Sequence, residues 1–351
     1  MAEAALDQAI ARAATLLGGS RCAVIACLGT DVAGAEAAIA MARRIGAVFD
    51  HAASAAALAE LAVMREAGWV VTSPIEARAR ADVVLLVGAG LVAAWPEYAV
   101  GLGLAGPPPL VPEANRRVFR LCPGEEPVPA GIVETIAGYA EQLPVMLGLL
   151  RATLAGRPVA RAVPGITALA EALRAARYGV AVWSAAAIEP LAIEMVCGLV
   201  DDLNGTTRFA GLPLPGADNV NGVTQAAAWC CGFPPRTSFG RGVPEHDPWR
   251  FDATRLVESG EADAVLWISA LTAASPPWTR RLPTVALSAP GTAFATPPEV
   301  AITVGRPGHD HAGVLHAPRL GALAAHPAVA ASDALPTVDR VIGGIMAALP
   351  C

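Results

Sequence analysis

The sequence predicts an α/β protein made of two duplicated, doubly wound (Rossmann-like) parallel-sheet units, and three observations carry that expectation. The chain repeats itself: residues 21–29, 81–90 and 117–124 in the first half have counterparts at 178–186, 262–271 and 283–291 in the second. In each half one strand is introduced by Ala-Asp (Ala81-Asp82 and Ala262-Asp263) and a later one ends in Pro-Gly (Pro123-Gly124 and Pro290-Gly291). Finally, short apolar runs alternate with helical stretches, the pattern of a parallel sheet covered on both faces. At 351 residues the chain is long enough for two substantial cores. Such a duplicated frame places a large ligand where strand ends face one another.

Residues 3–17 have apolar positions at helical spacing. A buried strand follows at 22–29, and Thr30-Asp31 caps a helix that ends at Gly46. Val48, Phe49 and Asp50 start a further strand, and residues 53–68 are helical by propensity. The strand at Val83 runs into Gly88-Ala89-Gly90, and the Pro-rich residues 106–112 form a loop. A helix over 131–154 closes the first unit, expected to span 1–155. The second unit, 156–330, opens with a helix at 166–179 and holds a long loop at 201–252. That loop is rich in Gly, Pro and Asn, yet it carries Trp229, Phe233, Phe239 and Trp249, so it packs into a pocket or against a partner. Residues 331–351 are expected to form a C-terminal helix that packs back on the core.

Composition excludes several functions. All 25 basic residues are arginine, so Schiff-base and phosphate-loop lysine chemistry is absent, although a bias toward arginine codons explains the same fact. A net charge of -6 without a basic stripe argues against nucleic acid. No signal-peptide pattern opens the sequence, no apolar run is long enough to span a bilayer, and the seven cysteines have irregular spacing. A cytoplasmic protein with reduced thiols is the simplest expectation.

Generic sites are few. His309, Asp310, His311 and His316 resemble metal ligands by type, but no cysteine or second acid accompanies them, and a solvated loop is expected. Adjacent Cys230 and Cys231 read as buried structural thiols, since adjacent cysteines rarely bridge and no Cys-x-x-Cys occurs. Glu245-His246-Asp247 reads as a solvated run, and no Gly-x-Ser-x-Gly elbow supports a hydrolase.

Asn219, Val220, Asn221 and Gly222, then Gln225, Trp229, Gly232-Phe233-Pro234, Phe239, Gly242-Val243-Pro244 and Pro248 resemble the corresponding region of the B subunit of formylmethanofuran dehydrogenase. The resemblance extends to residues 49–54, 80–90 and 261–269 and so covers most of the chain. It implies the molybdopterin oxidoreductase fold, a duplicated α/β frame that grips a pterin. The departures from that family matter as much. Its catalytic members begin with a cysteine-rich four-iron segment, whereas this sequence opens on the first helix, with Cys22 and Cys27 in a strand. The position aligned with the family's metal-ligating cysteine is Ala56, and a methyl group ligates no metal. Gly88-Ala89-Gly90-Leu91 and Cys122-Pro123-Gly124-Glu125 replace the polar turns that meet the pterin.

This pattern resembles the B subunit of the formyltransferase/hydrolase complex of methylotrophic bacteria. The resemblance implies a non-catalytic structural subunit, without tungsten, molybdenum, pterin or an iron-sulfur cluster. The complex would convert formyl-tetrahydromethanopterin to formate through a methanofuran-type carrier in formaldehyde oxidation. Chemistry would lie in partners: the amidohydrolase-type A subunit, the C subunit and the formyltransferase D subunit. Two alternatives stand beside it. One is an active molybdenum or tungsten enzyme; the other is a module in which Arg208, Arg236 and Arg241 meet the carboxylates of a polyglutamylated furan carrier.

Overall fold

A computed structural model describes residues 2–350 except 128, 130, 131, 133, 160–162 and 331–334. Its strands are β1 (Ala23–Gly29), β2 (Val48–Phe49), β3 (Val83–Val87), β4 (Arg117–Leu121), β5 (Glu134–Ile136), β6 (Gly179–Trp183) and β7 (Phe209–Pro213). Further on come β8 (Thr237–Ser238), β9 (Glu245–His246), β10 (Ala264–Ser269), β11 (Thr284–Ser288), β12 (Val300–Thr303), β13 (Gly313–Ala317) and β14 (Ala322–His326). The helices are α1 (Ala2–Gly18), α2 (Val32–Ile45), α3 (Ser54–Ala67), α4 (Pro74–Arg80), α5 (Leu91–Ala94) and α6 (Tyr98–Gly101). They continue as α7 (Leu143–Leu154), α8 (Ile166–Arg174), α9 (Pro190–Asn204), α10 (Val220–Cys231), α11 (Ala253–Ser259) and α12 (Val338–Ala348).

The chain is an α/β protein with parallel sheets, divided into two compact units. One comprises residues 1–55, 217–316 and 323–351, the other 56–216 with 317–322. The expected boundary near residue 155 therefore falls inside the second unit. The reason is strand pairing: β3 and β6, which lie on either side of it, are parallel neighbours with Val83 opposite Gly179 and Leu85 opposite Ala181.

The first unit's sheet has the order β12-β11-β10-β1-β2-β8-β9. Its first five strands are parallel, and β8 and β9 continue it antiparallel. Both faces of β1 are buried. Ile25 and Leu28 enter one apolar cluster, while Val24, Ala26 and Cys27 enter another. Such two-sided burial explains why the strand reads as a continuous apolar run rather than an alternation. On the larger face, Val338, Val341, Ile342 and Ile345 of α12 share a core with Ala13, Ala14 and Leu17 of α1 and Ala38, Ile39 and Ala42 of α2. Asp31 caps α2 by accepting the Gly34 N–H at 3.1 Å, and Gly46 ends it in the left-handed conformation at φ 68°.

The second unit's sheet, β5-β4-β3-β6-β7, is wholly parallel. Alternate residues of β3 again enter two cores, Val83, Leu85 and Val87 on one side, Val84 and Leu86 on the other. The repeated Ala-Asp finds its physical explanation in these sheets. The Asp82 carboxylate, ahead of β3, accepts the N–H groups of Arg177 and Tyr178 just before β6, both at 2.9 Å. Asp263, ahead of β10, does the same for Arg21 and Cys22 just before β1, again at 2.9 Å. Burial works against ionising Asp263, but hydrogen bonds from Ser20, Arg21 and Cys22 outweigh it and hold the carboxyl below its usual range. Each aspartate thus staples the entry of one strand to that of its neighbour from the other half of the sequence.

Two expected elements differ. Residues 134–136 form β5 rather than helix, and α7 begins only at Leu143 with Pro144 in its first turn; residues 131 and 133 of that expected helix lie outside the described residues. Pairing with β4 claims this segment for the sheet, with Phe119 opposite Glu134 and Leu121 opposite Ile136. The stretch 201–252 is not a loop but holds the end of α9, β7, α10, β8 and β9. Its glycines mark a helix end and a close approach: Gly232 caps α10 at φ 82°, and a Cβ on Gly211 would meet the Trp183 ring at 2.7 Å. Among the described residues no helix is long and apolar enough to cross a membrane.

Candidate functional site

In the first unit the strand order reverses between β1 and β10, because the chain leaves β1 toward β2 on one side and β10 continues the sheet on the other. Open α/β sheets bind ligands in the crevice outside the carboxyl ends at such a point. Backbone strain gathers there. Of the described non-glycine residues at positive φ, Cys27 and Leu28 end β1 where its register with β10 shifts, and Asp218 and Asn219 precede α10. Strain of this kind persists only where surroundings over-determine it.

Those surroundings are a partly buried polar network. Asn219 bridges two segments: its Nδ2 donates to the Thr30 carbonyl at 2.9 Å and its Oδ1 accepts the His316 N–H at 2.8 Å. His51 is buried, and its Nδ1 accepts the Ala53 N–H at 2.9 Å. Its Nε2 therefore carries the proton and donates to the Asp218 carbonyl at 3.0 Å. Burial pushes this imidazole down to about 4, so it is neutral with both nitrogens occupied.

Asp50 is buried beside it and accepts the N–H groups of His51 at 2.8 Å and Ala253 at 2.9 Å. Arg236 approaches Asp50 at 3.6 Å and Asp252 at 2.5 Å, and donates to the Pro248 carbonyl. Burial raises the Asp50 carboxyl despite the Ser54 hydroxyl, the Ala253 amide and the Arg236 guanidinium. Asp31, raised by burial, lies against Gly313, where a Cβ would sit 3.0 Å from Asp31 Oδ2. His51, Asp50 and Asn219 thus serve the unit's own segments, while His316 Nδ1 and Ser269 Oγ, the latter at the end of β10, have no partner among the described residues.

The second unit's reversal point lies between β3 and β6, at the turn Gly88-Ala89-Gly90. A Cβ on Gly88 would meet Ile188 at 2.5 Å, and one on Gly90 would meet Ala187 at 2.4 Å. Side chains of the segment after β6 therefore occupy the space over this turn. On β4, Arg120 is fully buried and paired with Glu126, whose other oxygen accepts the Val92 N–H at 2.7 Å at the start of α5. Its guanidinium lies beside the buried Tyr98 hydroxyl, which burial raises above its usual range against the opposing pull of Arg120. Cys122, which follows β4, is buried with its thiol raised to about 11.

The sequence-predicted residues are dispersed. Ala56 is half-buried in the first turn of α3. A methyl group coordinates no metal, and a turn filled by Ala187 and Ile188 offers a pterin no donor side chain, so the residues present do not fit the group that the resemblance implies. Arg236 belongs to the network with Asp50 and Asp252, while Arg241 is exposed and pairs with Glu245 at 3.2 Å. Arg208 belongs to the second unit and makes no ion pair among the described residues. It borders a cavity of about 470 Å3 with Arg80, Arg177, Asp82 and Tyr178.

His309 and Asp310 are tied to Arg306, and the ion pair with Arg306 holds the Asp310 carboxyl far below its usual range. Among the described residues no group of three or more His, Cys, Asp or Glu is placed to hold a metal. Cys230 and Cys231 are half-buried rather than buried, because they end α10 at the surface. His246 is half-buried too, stacked on Phe233 with centroids 6.2 Å apart. Of the four aromatics singled out in 201–252, Phe239 is buried, while Trp229, Phe233 and Trp249 are exposed. Sequence reasoning missed the Arg120–Glu126 pair and the Asn219 bridge. A charged residue in the centre of an apolar strand was the available signal for the first.

No protein-family profile matches the sequence. The chain is 36% identical over 324 residues to the B subunit of the formyltransferase/hydrolase complex Fhc of Methylorubrum extorquens, covering 91% of this chain and 87% of that protein. It is 39% identical over 77 residues, 22% of this chain and 18% of the relative, to the B subunit of the tungsten-containing formylmethanofuran dehydrogenase 2 of Methanocaldococcus jannaschii. The corresponding protein of Methanococcus maripaludis is 31% identical over 74 residues, 21% of this chain and 17% of its own. A chain in the crystal structure of the FhcABCD complex from Methylorubrum extorquens with methylofuran superimposes with a TM-score of 0.87 at 36% identity, covering 97% of this chain and 94% of that one. A likeness of 36% identity that runs nearly from end to end of both proteins places the chain in the family formed by the B subunits of formyltransferase/hydrolase complexes.

Proposed function

We propose that this chain is a non-catalytic structural subunit of a formyltransferase/hydrolase complex. That complex converts formyl-tetrahydromethanopterin to formate through a formyl-methanofuran-type carrier. The frame would be a degenerate molybdopterin oxidoreductase fold with neither pterin metal nor cluster. Its partners would be the amidohydrolase-type A subunit, the C subunit and the formyltransferase D subunit. The observation that carries the reading is the state of the crevice at the carboxyl ends of β1 and β10. Both nitrogens of His51 and both ends of the Asn219 amide are committed to the protein itself. A catalytic group needs a free lone pair or proton at the reacting atom, and neither His51 nor Asn219 offers one. Ala56 and the turn filled by Ala187 and Ile188 point the same way.

Exposed Trp229, Phe233, Val243 and Trp249 add support, because large apolar groups left at a surface mark contact sites. The carrier-binding alternative is left with Arg208, since Arg236 is held by Asp50 and Asp252 and Arg241 by Glu245. The test is purification of the tagged chain from its native cell, with identification of co-purifying proteins and metal analysis. Formyltransferase and amidohydrolase-type partners in fixed ratio, without stoichiometric tungsten or molybdenum, are expected. Recovery of the chain alone, or with one such metal per chain, overturns the reading.

A further inference from the structure

The amino ends of β11 and β12 lie at the end of the first unit's sheet opposite the polar network, since both strands run parallel to β1. Here residues 276–299 enclose a cleft of about 180 Å3, with Trp278, Arg280, Arg281, Phe294 and Glu299 in its wall. Arg280 and Arg281 are exposed, and neither makes a hydrogen bond or ion pair among the described residues. Their guanidinium groups are thus open to a carboxylate from outside the unit, whereas buried Arg120 and half-buried Arg116 and Arg236 hold groups of the chain itself. Glu299, the acid in the wall, is already committed: its Oε2 accepts the Thr284 N–H at 2.5 Å.

The apolar part of the cleft is held in place. Trp278 packs edge-on against Trp267 with centroids 5.4 Å apart, and Trp267 Nε1 donates to the Ala274 carbonyl at 2.9 Å. Pro276, Pro297 and Pro298 stiffen the surrounding backbone. Little ordering would therefore accompany binding, which favours affinity. A volume of about 180 Å3 is below the roughly 300 Å3 at which sites for whole small molecules begin. It suits one side chain of a polypeptide, with charged groups meeting outside it.

We propose that this cleft docks an acidic segment of a partner polypeptide. Its carboxylates bridge Arg280 and Arg281, and an apolar side chain of the same segment sits between Trp278 and Phe294. Paired arginines recognise carboxylates through short charge-assisted bonds, and an aromatic anchor beside them is the usual composition of an interface hot spot. From the subunit reading the proposal takes only the existence of a partner.

The test places a photo-crosslinking benzoylphenylalanine at Thr279 in the tagged full-length chain, expressed and irradiated in its native cell. An adduct on a partner peptide with at least two Asp or Glu beside the crosslinked residue is expected. The R280E/R281E variant should lose that adduct and lower recovery of the same partner about tenfold or more, the scale of one lost charge-assisted pair. R280K/R281K should retain part of it, and R280Q/R281Q gives the same reading if charge reversal disturbs the far-UV circular dichroism. No adduct, an adduct on a peptide without acids, or unchanged recovery with the charge-reversed chain overturns the proposal. Unchanged recovery leaves the subunit reading standing, whereas absence of any partner from the unsubstituted chain sinks both.

Discussion

Replacing Glu60 by Gln should make the protein more stable at pH 8 and leave it nearly unchanged at pH 5. Glu60 lies on α3, and its Oε1 accepts the Nε1–H of the fully buried Trp183 at 3.0 Å. Ala59, Val63, Trp69 and Cys197 belong to the apolar cluster around that tryptophan. Burial raises the Glu60 carboxyl from 4.5 to about 7, against the opposing pull of the Trp183 bond. The folded chain therefore binds this proton more tightly than the unfolded one. Its stabilising contribution is complete below pH 4.5 and is lost as pH rises through about 7. Linkage sets an upper bound of roughly 3 kcal/mol on the loss. Because Glu60 is partly exposed, solvent screening reduces the expected effect to about 1–2 kcal/mol.

Glutamine keeps the oxygen that accepts from Trp183 and cannot ionise. Thermal unfolding of both proteins between pH 5 and 8.5 reads the effect through tryptophan fluorescence. The two melting temperatures should coincide at pH 5, and the variant should exceed the parent by a few degrees above pH 7.5. Parallel curves, or a variant less stable at pH 8, refute the reasoning.

Asn219→Ala removes the bridge between Thr30 and His316 and puts a β-carbon with no local hydrogen bond at φ 62°. Urea unfolding should register a loss of about 2–4 kcal/mol, with Asn219→Gly less affected because it tolerates that backbone. Gly179→Ala places a Cβ 2.0 Å from the Phe209 ring. It should cost about 1–3 kcal/mol, part of which Phe209→Leu restores in the double variant. Arg236→Met leaves buried Asp50 without its cation, so the variant should lose about 3–5 kcal/mol at pH 7. Burial already raises Asp50, and protonating it relieves the unpaired charge, so the gap to the parent should narrow toward pH 5.

Much of the local structure was legible in the residues. The cap at Asp31 and the helix end at Gly46 follow from short-range chemistry, and both occur as expected. The stretch 201–252 was misread for a physical reason. Glycines that cap a helix or let Trp183 approach the backbone look, in sequence, the same as glycines in a loop. The crevice network was invisible because its members come from residues 30, 51, 219 and 316. Their pairing depends on a backbone turned to positive φ at Asp218 and Asn219, which no propensity announces.

The sequence by itself determined the α/β class, the repeated strands and the two Ala-Asp signals, since period, propensity and charge act over a few residues. Which strands meet was decided only in three dimensions. Asp82 joins β3 to β6, and Asp263 joins β10 to β1, so each sheet draws strands from both halves of the repeat. Hydrogen-bond pairing between parallel strands is blind to their separation along the chain. The same strand faces pack two cores whether the neighbour is near in sequence, as β2 is to β1, or distant, as β10 is. That indifference is why the strands were legible in the sequence while the boundaries of the units were not.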